Sequence, residues 1–104
     1  MPRRAIKMLF IPIDALQPIE TKDVEDDWRA WMDLIGGWVT QWRVPDDKLF
    51  VICDEGGLSK GLTPNLRAHK ILGVPVVGNV LVAGQGPNTG RLVDFPYTLE
   101  EVMQ

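Results

Sequence analysis

The apolar positions of this chain change period along its length, and the changes mark its elements. From Ala5 to Ile13 hydrophobic residues occupy both parities: Ile6, Met8 and Phe10 on one side, with Pro12, and Leu9, Ile11 and Ile13 on the other. A strand that is apolar on both sides is covered on both faces, so this run predicts a central strand. Asp14 to Glu20 reads as a connection that Pro18 keeps extended. From Asp23 to Ile35 the spacing turns helical. Val24, Trp28, Trp31, Met32 and Ile35 form one stripe, and Glu25, Asp26, Arg29 and Asp33 the opposite face. Acids in the first turn suit the positive end of a helix dipole, and Gly36-Gly37 ends the segment.

Alternation returns between Trp38 and Val44. Trp38, Thr40, Trp42 and Val44 share one side, and Val39, Gln41 and Arg43 the other. Pro45-Asp46-Asp47-Lys48 is a turn sequence, which predicts an antiparallel hairpin with Leu49–Cys53. Asp54-Glu55-Gly56-Gly57 closes that strand, since paired glycines allow a tight reversal. Thr63-Pro64 opens a second helix, with Thr63 as the cap and Pro64 at the first helical position. Leu66, Ile71 and Leu72 give it an apolar side, Gly73 a left-handed stop, and Pro75 forbids continuation. Val76 to Ala83 is a second buried strand, with Gly78-Asn79 where a strand bulges or lets a ligand or backbone approach. Gly84 to Gly90 reads as a flexible loop and Arg91–Phe95 as a short edge strand. Thr98 with Glu101 is a capping-box pattern for a brief helix over Leu99–Gln104.

Three pieces of the central stretch carry a resemblance: Asp54-Glu55-Gly56, Gly61-Leu62-Thr63-Pro64-Asn65, and Gly78-Asn79-Val80-Leu81-Val82. They resemble the pattern of the family called domain of unknown function 3846, from about the first strand to the loop after residue 83. The resemblance implies a compact α+β unit and an origin among bacteriophages and other mobile elements. It transfers no catalytic residue.

Composition narrows the picture. With 104 residues the chain is read as one domain, 1–104, large enough for one modest core. It is 45% hydrophobic and 24% charged, and no apolar run approaches the length of a membrane span. The run after Arg3-Arg4 is broken by Lys7 and Pro12 and lacks a cleavage site, so it reads as a strand rather than a signal peptide. The single cysteine, Cys53, rules out an internal disulfide and suits a reducing cytoplasm. A net charge of −3 and a pI near 5.0 argue against general nucleic-acid binding, which needs a basic face to displace counterions.

Candidate chemistry is sparse. Asp54 and Glu55 are adjacent carboxylates at a strand end, open to a general acid or metal ligand. Neighbours on an extended chain point to opposite faces, which favours a turn role. His69 is the only histidine, has no Cys or His cluster around it for zinc, and reads as a surface or capping residue. Cys53 reads as inert core, and Ser59 and Thr63 lack a nucleophile motif. The loop over 84–90 lacks the following helix that a phosphate loop needs. Asn65 either holds the loop before its helix or offers a donor and an acceptor to a ligand. Lys60 and Arg67 make a cationic patch beside it, suited to an anion such as a nucleotide phosphate. Trp38 and Trp42 are either core against the first helix or an exposed aromatic patch marking a partner interface.

These features predict a small single-domain α+β protein. A mixed or mainly antiparallel sheet of four to five short strands packs against the Asp23–Ile35 helix, with the Pro64–Leu72 helix at an edge or face. The first functional expectation is a non-enzymatic phage accessory protein of the host cytoplasm. It engages a host protein or further copies of itself through the Trp38/Trp42 face or the loops around Asp54, Glu55 and Asn65. The second is a small-molecule or nucleotide binder with its pocket near Lys60, Asn65, Arg67, Gly78 and Asn79. The third, weaker, is a hydrolase using Asp54, Glu55 or His69. No cofactor, metal site or membrane contact is expected.

Overall fold

The computed structural model describes residues 4–44, 48–86 and 91–103. In chain order the elements are β1 (Ala5–Ile11), β2 (Glu20–Glu25), α1 (Trp28–Ile35), β3 (Val39–Arg43), β4 (Leu49–Asp54), α2 (Leu66–Leu72), β5 (Val80–Gln85), β6 (Leu92–Val93) and α3 (Leu99–Val102). The strands form one sheet in the order β2-β1-β5-β4-β3, with β6 also on β5. Each of the five strand pairings is antiparallel.

Strand alternation divides the core in two. Leu9, Ile11, Val51, Val80 and Val82 form one cluster with Ala68 and Leu72 of α2. Ile6, Met8, Phe10, Ile52, Leu81 and Ala83 form the other with Trp31 and Ile35 of α1. Successive side chains on a strand point to opposite faces, so each helix covers its own side of the sheet. The apolar double parity of β1 is thereby explained: it lies inside the sheet with a helix layer on both sides. Fully burying a Leu, Ile or Met side chain contributes roughly 1.5–3 kcal/mol, so these two clusters dominate the favourable side of folding.

Among the described residues the sheet has six strands, more than the four to five expected, because part of the predicted first helix is a strand. Residues Glu20–Glu25 form β2, and the helix begins only at Trp28, behind an Asp27 cap that accepts from the Arg29 N–H. β2 pairs with β1 over the full register from Ala5↔Glu25 to Phe10↔Glu20. A longer helix would satisfy only its own backbone, whereas the strand also satisfies the outer edge of β1, at roughly 0.5–1.5 kcal/mol net per hydrogen bond. It also buries Val24 in the α1-side cluster. The acidic run therefore lies largely on an exposed edge strand, not in a helix first turn: α1 has no acid there. Charged side chains on an edge strand discourage further strand addition.

Two other boundaries move. α2 is capped by Asn65 rather than Thr63, and Pro64 instead makes an isolated bridge to Val77. Its C-cap Gly73 adopts the expected left-handed conformation. The predicted strand from Val76 starts only at Val80, because Gly78 has φ +71° and turns the chain. At its other end β5 extends to Gln85, where Gly84 and Gln85 pair with β6. β6 takes the place of β1 beside the second half of β5: the Lys7 N–H donates to Asp94 Oδ1 at 2.8 Å, and the Phe95 N–H to the Lys7 carbonyl at 2.7 Å. α3 carries the complete Thr98–Glu101 capping box. The β3–β4 register fits a hairpin. Its turn at Pro45–Asp47, the loop residues 87–90, Arg3 and Gln104 lie outside the described residues.

Candidate functional site

The sequence candidates separate into two groups, joined through different loops. The first gathers where α1 ends. Gly36 caps the helix in the left-handed region at φ +90°, and Gly37 then passes against the end of β4. A Cβ on Gly37 would come 2.7 Å from Asp54 Oδ2 and 2.9 Å from Lys60 Nζ, so any larger residue here displaces that pair. Asp54 is buried: its Oδ1 accepts from the Gly56 N–H at 2.8 Å, and its Oδ2 from Lys60 Nζ at 2.6 Å. Lys60 is half exposed and Asp54 almost wholly covered. The pair folds the turn after β4 back against the glycine corner. Glu55 is exposed, and its backbone N–H donates to the Trp38 carbonyl at 2.8 Å.

Trp38 itself is 65% exposed and Trp28 46% exposed. Their rings stack with centroids 5.7 Å apart and planes 15° from parallel. The guanidinium of Arg29 lies 5.3 Å from the Trp28 ring centroid, within cation–π range. Trp28 was expected in the core stripe, but it is the first helical residue and overhangs the covered face, leaving Trp31 and Ile35 as the buried positions. Trp42 lies apart from this stack. It is half buried against the α2-side cluster, beside Cys53. The Trp38/Trp42 face is therefore two things: Trp42 is core rim, and Trp38 pairs with Trp28. The first-turn position of Trp28, directly after the Asp27 cap, was the available signal.

The second group is Asn65, Arg67, Gly78 and Asn79. Asn65 is 2% exposed, and its amide donates to the carbonyls of Ile11 at 3.0 Å and Gly78 at 2.9 Å. Its oxygen accepts from the Ala68 N–H at 3.0 Å. Arg67 donates to the carbonyls of Pro12, Asp14 and Gln17. Asn79 accepts from the Ile13 N–H at 2.8 Å and donates to the Leu34 carbonyl at 3.1 Å. Together these side chains pin the segment after β1 to α2 and to the turn before β5. Lys60 is held by Asp54 in the first group, so the structure does not assemble the expected Lys60–Asn65–Arg67 arrangement.

An open groove of about 680 Å³ lies on the α2 side of the sheet. Its apolar lining includes Ile19, Leu49, Ile71 and Phe95, and its polar lining is Arg67, Lys70, Tyr97 and Glu101. The sequence reading missed Lys70 and Tyr97 as site residues because the groove exists only once α2 and α3 flank Phe95. His69, on α2, is exposed and is not part of this lining. Burial raises the pKa of the Cys53 thiol above its ordinary value, a hydrogen bond with Trp42 opposes the rise, and the Asp54 charge adds to it. Among the described residues no group of three or more His, Cys, Asp or Glu side chains is placed to hold a metal ion, and no helix is long and apolar enough to cross a membrane.

A family model described as Domain of unknown function (DUF3846) matches residues 6–104. No curated protein and no solved structure matches the chain.

Proposed function

Since the chain belongs to the domain of unknown function 3846 family, whose name carries no activity, we propose from its geometry that it is a non-enzymatic interaction module. The observation that carries this reading is the exposed Trp28–Trp38 stack with Arg29 upon it. Tryptophan and arginine are the residue types most enriched among those that dominate binding energy at protein interfaces. Two indole rings held parallel lose little further freedom when a partner covers them, so the stack is a preorganised anchor. The family resemblance implies a phage-type origin, and with that origin a host cytoplasmic protein is the favoured partner, in keeping with an accessory role. The hydrolytic alternative has no comparable support: both oxygens of Asp54 are engaged, by Gly56 and Lys60.

The test is capture of a polypeptide from host lysate by the tagged chain, repeated with Trp28→Ala and Trp38→Ala. Loss of an interface anchor costs about 2 kcal/mol or more, roughly 30-fold in affinity, so both variants should release a polypeptide that the parent retains. Equal retention by variants that stay folded overturns the proposal.

A second reading, a small-molecule binder, is favoured by the groove beside Lys70 and Tyr97. Its volume falls within the range of about 300–1,000 Å³ usual for ligand sites. A nucleoside monophosphate should then raise the melting temperature with concentration, and Lys70→Glu should remove the effect. No shift at saturating nucleotide would end that reading.

A further inference from the structure

The sheet has two outer strands, and they are built differently. Along β2 the sequence Glu20-Thr21-Lys22-Asp23-Val24-Glu25 places charge at most positions. Such an edge repels an incoming strand. β3 carries Val39-Thr40-Gln41-Trp42 with no charge until Arg43, and Thr40 and Gln41 are exposed.

Two backbone bonds fix which groups of β3 point outward. The Glu55 N–H donates to the Trp38 carbonyl at 2.8 Å, and the Val44 N–H donates to the Leu49 carbonyl at 3.2 Å. With the register Val39↔Asp54 through Arg43↔Phe50, the even-numbered residues bond to β4. The N–H and C=O groups of Val39, Gln41 and Arg43 therefore face away from the sheet. Among the described residues no backbone bond beyond β4 reaches them.

This edge is self-complementary. Placed antiparallel against a second β3 and centred on Gln41, it sets Val39 opposite Arg43, Gln41 opposite Gln41 and Arg43 opposite Val39. All of these are outward-facing positions, so each pair exchanges two backbone hydrogen bonds. In this register no charged residue is set directly opposite one of like charge. On one face Thr40 of each copy adjoins Trp42 of the other, covering a side chain that is only half buried at the core rim. Val39 packs at the rim of the α1-side cluster and Trp42 at that of the α2-side cluster. In this register the added cover falls on Trp42, on the α2 side, while on the α1 side Val39 lies opposite Arg43. A two-fold contact of this kind uses the same patch on both partners, as closed dimers require.

We propose that β3 is a homodimerisation edge, and that a second copy of this chain adds to it antiparallel about Gln41 to make one continuous sheet. The pairing is independent of what covers the Trp28–Trp38 stack, and the two are separated by their variants. Sedimentation equilibrium of the full chain from low to high micromolar concentration should show a monomer–dimer equilibrium. Gln41→Lys opposes two cations at the centre and should weaken it by about tenfold or more. Gln41→Pro removes the central outward N–H and should act likewise, since an edge strand tolerates proline where its N–H faces outward. Circular dichroism checks that both remain folded. Hydrogen exchange gives a second readout: the amides of Val39 and Gln41 should gain protection with concentration in the parent and not in Gln41→Lys. A single-chain mass throughout overturns the proposal. So does a dimer that Gln41→Lys leaves intact, including one lost instead in Trp28→Ala, or a foreign polypeptide found protecting the β3 amides.

Discussion

Asn65 donates its side-chain amide to the carbonyl of Ile11, 54 positions earlier in the chain, at 3.0 Å. The same group reaches the Gly78 carbonyl, while its oxygen caps α2 through Ala68. One side chain thus ties the end of β1, the start of α2 and the turn before β5. Asn65→Ala loses a cap and both bonds that the amide gives to buried carbonyls. It should lower stability by about 2–4 kcal/mol in urea unfolding. Asn65→Asp keeps the cap acceptor but turns a carboxylate oxygen toward those carbonyls. It should destabilise at least as much, although Asp and Asn are equivalent caps elsewhere. A well-tolerated Asp would show that capping is the only role.

The Asp54–Lys60 contact depends on the missing side chain of Gly37. Lys60→Met leaves a buried carboxylate held by Gly56 alone. Breaking a wholly buried pair costs about 3–5 kcal/mol. Lys60 is half exposed, so about 1–2 kcal/mol is expected here. Gly37→Ala should cost a similar amount by pushing Lys60 and Asp54 aside. In a double-mutant cycle the two losses should be less than additive. Full additivity in thermal or urea unfolding would show that Gly37 does not act through the pair.

Gly84 was expected in a flexible loop, but it lies in β5 opposite Val93. A Cβ there would run into the carbonyl of Asp94 and lie 3.0 Å from Val93 Cγ2. Gly84→Ala should cost about 1–3 kcal/mol and detach β6. Amide exchange at Phe95, which donates to Lys7, would report the detachment. Unchanged protection at Phe95 would contradict it.

Burial raises the folded-state pKa of Cys53. Well below the ordinary thiol pKa both states keep the proton and the group contributes no pH dependence. As pH rises past that ordinary value, about 8.5, the unfolded chain loses its proton while the folded chain holds it. Stability should therefore fall until the raised folded value is passed. Urea midpoints from neutral to alkaline pH should decline more steeply in the parent than in Cys53→Ala. Parallel declines would remove Cys53 as the cause.

Acid should act on α3 in the opposite sense. The Thr98 backbone N–H, and secondarily its side chain, holds the Glu101 carboxyl below its usual pKa. Stability from the capping box is present above the ordinary carboxylate range and is lost as pH falls through the lowered folded value. NMR shifts of the Val102 and Met103 amides should follow that titration, and Glu101→Gln, which removes the titrating group, should abolish it.

What the sequence determined by itself was local. The double apolar parity of β1, the apolar run of β4, the Gly73 stop and the Thr98–Glu101 box all depend on residues within a few positions of each other. Backbone geometry reads such spacing directly. Tertiary structure decided whatever needed a distant partner. Residues 23–25 carry a helical pattern yet form a strand because the edge of β1 lies beside them. Asn65 displaced Thr63 as the cap, and Ile11 and Gly78 hold its side chain in place. Trp28 and Trp38 share no strand or helix period, and they meet only because α1 and the start of β3 fold together at Gly36-Gly37. Period and propensity are short-range and weak, and a segment takes the conformation that also satisfies its neighbours in space.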